Sequence, residues 1–316
     1  MVKQPICITG IGSLPLRDPA AAIDFVARHS PQIPFVPQLP NYSKRELMLN
    51  QILYGLDDAF ALEGDVPTPK ADAKHLVVSL TERPAKLVMH SQTWKLFLDA
   101  ARAGRFANAA ALKMQLCGPV TLASLLKLNG IPFIENAALF EAIVVRVRKV
   151  ITHVATLLRE IHPKVIIQLD EPLLEQSPNG AHDALWQCIV AVHEMVCESM
   201  VHCCARLENG RLLDCGADIL SFDVYTFPPT DQKIDALRRH LDKGRQIAWG
   251  VVPTVRKPSL YEVRTRANRW WQELGGGDRL ALQSIITATC GLAMGEGHSP
   301  EKSFLLCRDV AETMGG

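Results

Sequence analysis

The sequence predicts an α/β fold, specifically a (β/α)8 TIM barrel with a helical insertion between its second and third strands. Short apolar runs alternate along the chain with longer stretches of helical periodicity, which is the pattern of parallel βα units. The apolar runs are almost continuously hydrophobic, as expected for strands that are buried on both faces. The length of 316 residues suits one such barrel, so residues 1–316 are predicted to form a single barrel domain.

Eight apolar runs are predicted to be the strands. Each is followed by a longer segment, so the order of elements alone favours parallel strands joined by helices. The runs lie at residues 6–13, 34–38, 112–118, 164–172, 200–206, 218–225, 246–253 and 282–291.

The segments between the strands are predicted to be the covering helices, because their apolar residues recur at three- and four-residue spacing. Examples are FEAIVVRVRKVITHVATLLREIH at 140–162 and DQKIDALRRHLDKG at 231–244. The longest connection, residues 41–111, contains several helical patterns. It is expected to be a helical excursion or lid on the catalytic face, or otherwise only an elongated connection.

Charge and composition favour a small-molecule partner. The 34 basic and 33 acidic residues leave a net charge of +1, and neither sign is gathered into blocks, so no nucleic acid or membrane partner is expected. No apolar run is long enough to span a membrane, and the N-terminal segment lacks the pattern of a signal peptide. Nine scattered cysteines suit a reducing compartment, and the protein is therefore predicted to be cytoplasmic.

Three potential metal ligands stand at the ends of two predicted strands. An extended strand points His202 and Cys204 the same way because they are two residues apart, and Cys290 ends the last predicted strand. Active sites of such barrels lie at the carboxyl ends of the strands. One imidazole and two thiolates favour zinc, and three protein ligands leave a position for a substrate atom. The sequence therefore predicts a catalytic zinc site that turns a bound thiol into a thiolate nucleophile.

A fourth ligand is less determined by the pattern. Asp223 ends the sixth predicted strand and is a candidate, but it could instead be a hydrogen-bonded carboxylate at the strand end. Asp218 is a poorer choice because it precedes that strand. Of the neighbouring Asp170 and Glu171, only one is expected to reach the site, since adjacent residues point to opposite sides of a strand. The alternative for this pair is a helix cap or an ion pair.

Other polar or sulfur-containing residues near the strand ends are assigned structural roles. Cys203 should face the helix layer if its two neighbours face the barrel axis. Cys117 is interpreted as a packed barrel cysteine. His298 is interpreted as a loop residue rather than an acid or base group.

Several motifs together resemble a known family. TGIGSLP (9–15), CGPVTLA (117–123), IIQLDEP (166–172), the His202-x-Cys204 pair and TCGL (289–292) occur in this order. They resemble the catalytic domain of cobalamin-independent methionine synthase, and most closely its short single-barrel relatives. This group belongs to the superfamily that includes uroporphyrinogen decarboxylase. The resemblance extends over essentially the whole chain.

The resemblance implies a zinc-dependent methyltransferase that transfers a methyl group to the thiol of homocysteine and forms methionine. The methyl donor would be a folate or a corrinoid protein. It implies zinc bound by His202, Cys204 and Cys290, with Asp223 as the provisional fourth ligand. It also implies roles in substrate binding: Ile11 and Ser13 at the amino acid carboxylate, Asp170 and Glu46 at the amine.

The chain departs from the family pattern at three points. Asp223 stands where the family has a longer glutamate. The segment WGVVPTVRKP (249–258) lacks the histidine that assists the folate leaving group, and the sequence does not contain the second barrel of the full-length enzymes. These departures leave two alternatives open, namely corrinoid-dependent transfer to another thiol such as coenzyme M, and a non-catalytic metal-binding barrel.

Overall fold

A computed structural model describes residues 6–85, 91–178, 180–293 and 295–315. At its centre, the described residues form a curled parallel sheet of seven strands in the order β1-β7-β6-β5-β4-β3-β2. Strands that follow one another along the chain are therefore neighbours in most of the sheet, as expected for βα units. The strands are β1 Cys7–Ile8, β2 Leu112–Cys117, β3 Val165–Asp170, β4 Glu198–Cys203, β5 Ile219–Asp223, β6 Gln246–Val252 and β7 Ser284–Ala288.

The second predicted strand, residues 34–38, is not a continuous strand. It forms isolated parallel bridges instead, Phe35 with Lys113 of β2 on one side and Gln38 with Ser13 on the other. Two of its five residues are prolines, which have no N–H group to donate to a ladder. The prediction of eight regular strands was therefore wrong at this segment, which nevertheless contacts both edges of the sheet.

The bounds of the other strands agree with the predicted runs to within a few residues. The predicted run at 6–13 is a strand only at Cys7–Ile8, and β4 begins earlier than predicted and ends at Cys203. The remaining five strands lie within their predicted runs. Cys204 and Cys290 consequently lie just beyond strand ends, in the loops on the carboxyl side of the sheet.

Helices surround the sheet. The longest, α6 (Ala137–Arg159), begins after Asn136, whose side-chain oxygen accepts the N–H of Leu139 at 3.1 Å. Such a cap satisfies one of the free N–H groups of the first turn. The helices are α1 Pro19–His29, α2 Met48–Ile52, α3 Ala73–Glu82, α4 Gln92–Arg102, α5 Pro119–Leu125, α6 Ala137–Arg159, α7 Ala181–Glu194, α8 Asp231–Asp242, α9 Leu260–Glu273, α10 Gly277–Leu282 and α11 Pro300–Gly315.

The insertion between the second and third predicted strands contains α2, α3 and α4 in its described part. It also contains a short antiparallel pair, Phe60–Ala61 with Thr68–Pro69. Arg146 of α6 is fully buried and donates hydrogen bonds to the carbonyls of Ile52 and Tyr54, at 2.8 and 2.7 Å. The insertion is thereby attached to the longest covering helix. None of the helices in the described ranges is long and apolar enough to cross a membrane.

Candidate metal centre and adjoining cavity

Three side chains from the ends of two strands converge. The ligand atoms of His202, Cys204 and Cys290 all lie within 4.8 Å of one another. His202 belongs to β4, Cys204 follows directly after that strand, and Cys290 lies two residues beyond β7. The predicted convergence of one imidazole and two thiols is thus confirmed, and within the described residues this group could hold a metal ion.

The ring of His202 is oriented for ligation. Its Nδ1 lies 2.9 Å from Oγ of Ser221 on the neighbouring strand β5. Its Nε2 is buried and has no hydrogen-bond partner among the described residues. A buried polar atom without a partner is costly, and a histidine held at one nitrogen is typical of metal ligands. The free Nε2 therefore fits a bound metal ion.

The two thiols interact directly. The hydrogen bond between them raises the pKa of Cys204, and burial adds to this effect. The same hydrogen bond lowers the pKa of Cys290, with a further contribution from His202. Of the two thiols, Cys290 is therefore the one whose ionised form the surroundings favour. A donor set of imidazole with two sulfurs suits zinc or another metal of similar softness.

Asp223 lies outside this group. It ends β5, and its Oδ1 accepts the backbone N–H of Thr226 at 2.7 Å. Burial raises the pKa of Asp223, and the hydrogen bonds to Thr226 oppose the effect. This is the hydrogen-bonded strand-end carboxylate that the sequence left open as the alternative. Its role as a fourth ligand stays a prediction.

A cavity of about 240 Å3 adjoins the three ligands. This volume is below that of typical drug-sized pockets and suits a small ligand. The other lining residues include the four predicted for substrate binding together with Gln38 and Met48. Those four are Ile11, Ser13, Glu46 and Asp170.

The neighbouring carboxylates at the end of β3 serve different sides of the sheet. Asp170 lines the cavity, and burial raises its pKa, while His202 acts in the opposite direction. Glu171 faces the helix layer and accepts the backbone N–H groups of Val120 and Thr121 at 2.9 and 2.7 Å. Asp170 therefore reaches the candidate site, while Glu171 caps α5, which has no side-chain cap of its own at Gly118.

Glu46 brings a second buried carboxylate to the cavity. Its Oε1 accepts a hydrogen bond from Oγ of Ser91 at 2.8 Å, and its Oε2 accepts one from Nε2 of Gln51 at 3.2 Å. Gln51 in turn accepts a hydrogen bond from Nε2 of Gln38 at 2.8 Å. Burial raises the pKa of Glu46, and these hydrogen bonds oppose it. The insertion thus contributes a carboxylate whose orientation is set by its neighbours.

Ser13 packs closely against the loop that carries Cys290. Its carbonyl accepts the N–H of Leu292 at 2.8 Å. A Cβ atom added to Gly291 would lie 2.1 Å from Oγ of Ser13, which is closer than side-chain atoms approach. Glycine at this position therefore allows the first and last strands to bring their loops together at the cavity.

Sequence reasoning missed two buried polar residues below the cavity, Lys113 and Gln168. Both are completely buried, and Nζ of Lys113 donates a hydrogen bond to Oε1 of Gln168 at 2.8 Å. Each also donates a hydrogen bond to the carbonyl of Ile11, at 3.1 Å in both cases. A signal for them was present, because each interrupts an apolar run at a position that alternation assigns to the interior.

Comparisons with known proteins add little to this geometry. No model of a known protein family matches the chain, and a search of curated proteins finds no match. Among solved structures, one match comes from the structures of two fungal β-1,4-galactanases, and its sequence is 11% identical to this chain. It covers 68% of this chain and 82% of that one with a TM-score of 0.35. A likeness at this level carries no argument about the chemistry of this chain.

Proposed function

We propose that this protein is a zinc-dependent methyltransferase that moves a methyl group to the thiol of homocysteine and forms methionine. One observation carries the proposal: a single cavity has the His202, Cys204 and Cys290 group beside the buried carboxylates of Glu46 and Asp170. A soft metal site binds sulfur, and buried carboxylates bind an ammonium group. Homocysteine is a small molecule that carries both a thiol and an ammonium group.

The metal would be held by Nε2 of His202 and the sulfurs of Cys204 and Cys290. When bound, zinc acts as a Lewis acid that favours the thiolate form of a coordinated thiol at neutral pH. The resemblance to methionine synthase adds Asp223 as the fourth ligand. To join the others, Asp223 would give up its hydrogen bond to Thr226.

The remaining cavity residues would act on the amino acid end of the substrate. Asp170 and Glu46 would accept hydrogen bonds from its ammonium group, while the backbone of Ile11 and the hydroxyl of Ser13 would bind its carboxylate. Ion pairs in a cavity with little water are stronger than in solution. This binding would position the sulfur, so that the new S–C bond forms as the bond to the donor breaks and its electron pair leaves with the donor.

We further propose that the curled sheet belongs to a (β/α)8 barrel in which residues 34–38 form an irregular eighth strand. Two isolated bridges support this, one from Phe35 to β2 and one from Gln38 to the segment after β1. An experimental structure in which residues 34–38 are separated from either edge of the sheet would contradict it.

Metal analysis with thiol titration is the first test. The purified protein should contain stoichiometric zinc. In its cobalt-substituted form, the sulfur-to-cobalt absorption that the two cysteines already produce should become stronger when homocysteine is added. Cys204→Ser should lose both properties. A metal site whose spectrum ignores every thiol would contradict the proposal and favour a non-catalytic metal-binding barrel.

Identification of the methyl donor is the second test. The protein should be incubated with homocysteine and either methyltetrahydrofolate or a methylated corrinoid protein, with methionine measured by mass spectrometry. Methionine from only one of these donors identifies the donor. If a different thiol such as coenzyme M is methylated and homocysteine is not, the acceptor is wrong and the alternative transferase is supported.

A further inference from the structure

A buried lysine lies beneath the cavity without lining it. Lys113, the second residue of β2, is completely buried. Its Nζ lies 2.8 Å from Oε1 of Gln168, 3.1 Å from the carbonyl oxygen of Ile11 and 3.3 Å from Oε1 of Gln115. An ammonium group has three N–H donors and no acceptor. The three oxygens therefore satisfy the charged form of Lys113.

The amide of Gln168 connects this lysine to the cavity. Its Oε1 accepts the hydrogen bond from Lys113, while its Nε2 donates to Oδ1 of Asp170 and to the carbonyl of Ile11. Because an ammonium group can only donate, the amide oxygen must face Lys113 and the amide nitrogen must face Asp170. The lysine thus determines which end of the amide meets the carboxylate.

The two ends of this network have different surroundings. Ile11 and Asp170 line the cavity, whereas Lys113 and Gln168 lie below it. Burial lowers the pKa of Lys113, and the Asp170 carboxylate opposes this effect. Burying a charge is costly unless it is paired, and an apolar side chain would fill the same space without that cost. Packing alone therefore does not explain a lysine at this position.

We propose that Lys113 is a positioning residue which, through Gln168, orients the Asp170 carboxylate toward the cavity, so that the site selects thiols that carry a primary ammonium group. This inference rests on the proposed function, because it takes Asp170 as the partner of the substrate ammonium. Without Lys113, the Gln168 amide is free to turn its oxygen toward Asp170. The two oxygens would then repel, and the carboxylate would move.

Discrimination between two thiols tests the proposal. Homocysteine and 4-mercaptobutanoate have the same chain and carboxylate, but only the first has an amino group. In Lys113→Met and in Gln168→Leu, the dissociation constant for homocysteine should rise on the order of tenfold, whereas that for 4-mercaptobutanoate should change less than about twofold. Lys95→Met, the same change at an exposed position of α4, should alter neither constant.

Two comparisons exclude a purely structural role for Lys113. One uses the double variant Lys113→Met/Gln168→Leu, and the other uses the ratio of the dissociation constants for the two thiols. If Lys113 acts through Gln168, the double variant should lose no more affinity than the weaker-binding single variant. Equal losses for both thiols would overturn the proposal, because a general disturbance of the cavity does not discriminate between them. Additive losses in the double variant would overturn it as well.

Crystal structures of the ligand-free wild type and of Lys113→Met give a readout that does not depend on the substrate. The Asp170 carboxylate should be displaced in the variant, and an unchanged position of Asp170 would overturn the proposal. If the wild type binds neither thiol, the proposed function fails, while the structures still decide the role of Lys113. If Lys113→Met does not fold, Gln168→Leu allows the same comparison, since it breaks the link and keeps the lysine.

Discussion

Oγ of Ser221 lies 2.9 Å from Nδ1 of His202, and the two residues are register partners on adjacent strands. The hydroxyl therefore holds the imidazole ring through Nδ1. Nε2 of His202 is left without a partner in the described residues. An outer partner of this kind orients a ligating ring and fixes its tautomer.

Replacement of Ser221 by alanine should weaken metal binding without abolishing it. The ring of His202 loses its only fixed contact through Nδ1 in the described residues, and loss of such a partner typically costs about tenfold to hundredfold in metal affinity. The affinity can be measured by competition with a chromophoric zinc chelator. Ser124→Ala is a suitable control, since within the described ranges the Ser124 hydroxyl bonds to a carbonyl of its own helix α5 and to no other group. Equal affinities in both variants would contradict the role of Ser221.

The adjacent residues Cys203 and Cys204 should respond differently to mutation. Cys204 belongs to the metal group, whereas Cys203 is completely buried in the apolar core. Cys204→Ala should abolish stoichiometric zinc binding, because a thiolate ligand is lost. Cys203→Ala should retain zinc and lower only the free energy of unfolding, by about 1 kcal/mol for the small cavity. Zinc content by mass spectrometry and urea unfolding separate the two effects.

Loss of zinc from the Cys203 variant would contradict this assignment. Retention of zinc by the Cys204 variant at the wild-type affinity would contradict it more directly. Cys290→Ala should behave like the Cys204 variant, although it lies in a different loop, because the three ligand atoms lie within 4.8 Å of one another.

The metal group could be predicted from the sequence because it depends on regular geometry. Alternation along β4 directs His202 and Cys204 the same way, and the carboxyl ends of parallel strands meet at one edge. The position of Asp223 follows the same rule, yet its carboxylate bonds to the N–H of Thr226. That contact depends on the loop after β5. Local bonds between side chain and backbone of this kind are not determined by strand periodicity.

The irregular segment at residues 34–38 and the buried lysine were missed for other reasons. Apolar character indicated a strand at 34–38, but its two prolines limit the hydrogen bonds that it can form. Lys113 stands in a run that is otherwise predicted to be buried, and a buried ammonium needs partners from distant segments. Its oxygen partners come from Ile11 and Gln168 as well as from its own strand. Such partners cannot be identified before the strands are arranged.

Arg146 provides a test of how the insertion is attached. Its guanidinium donates hydrogen bonds to several carbonyls of the insertion, among them those of Ile52 and Tyr54. Arg146→Met should reduce the free energy of unfolding by about 3 kcal/mol or more, because the buried carbonyls of Ile52 and Tyr54 lose this donor. Urea unfolding measures the change.

Arg148→Met is the matched control for this prediction, on the same helix. Arg148 is partly exposed, and its Nη2 lies 4.0 Å from Oε2 of Glu194. Exposed ion pairs of this kind contribute at most about 1 kcal/mol to stability. If both variants lose the same small amount of stability, Arg146 does not anchor the insertion.

The buried carboxyl group of Glu171 should make stability depend on pH. Burial raises its pKa from 4.5 to about 7, although the N–H groups of Thr121 and Val120 oppose this effect. Between pH 4.5 and about pH 7, the carboxyl group of Glu171 binds more protons in the folded chain than in the unfolded chain. The contribution of Glu171 to stability is therefore fully present below pH 4.5 and is lost as the pH rises through about 7.

Glu171→Gln cannot titrate. The stability advantage of the wild type over this variant should therefore shrink between about pH 5 and about pH 8, by more than about 1 kcal/mol. Urea unfolding of both proteins at several pH values measures this difference. A difference that stays constant over the range would mean that folding does not raise the pKa of Glu171.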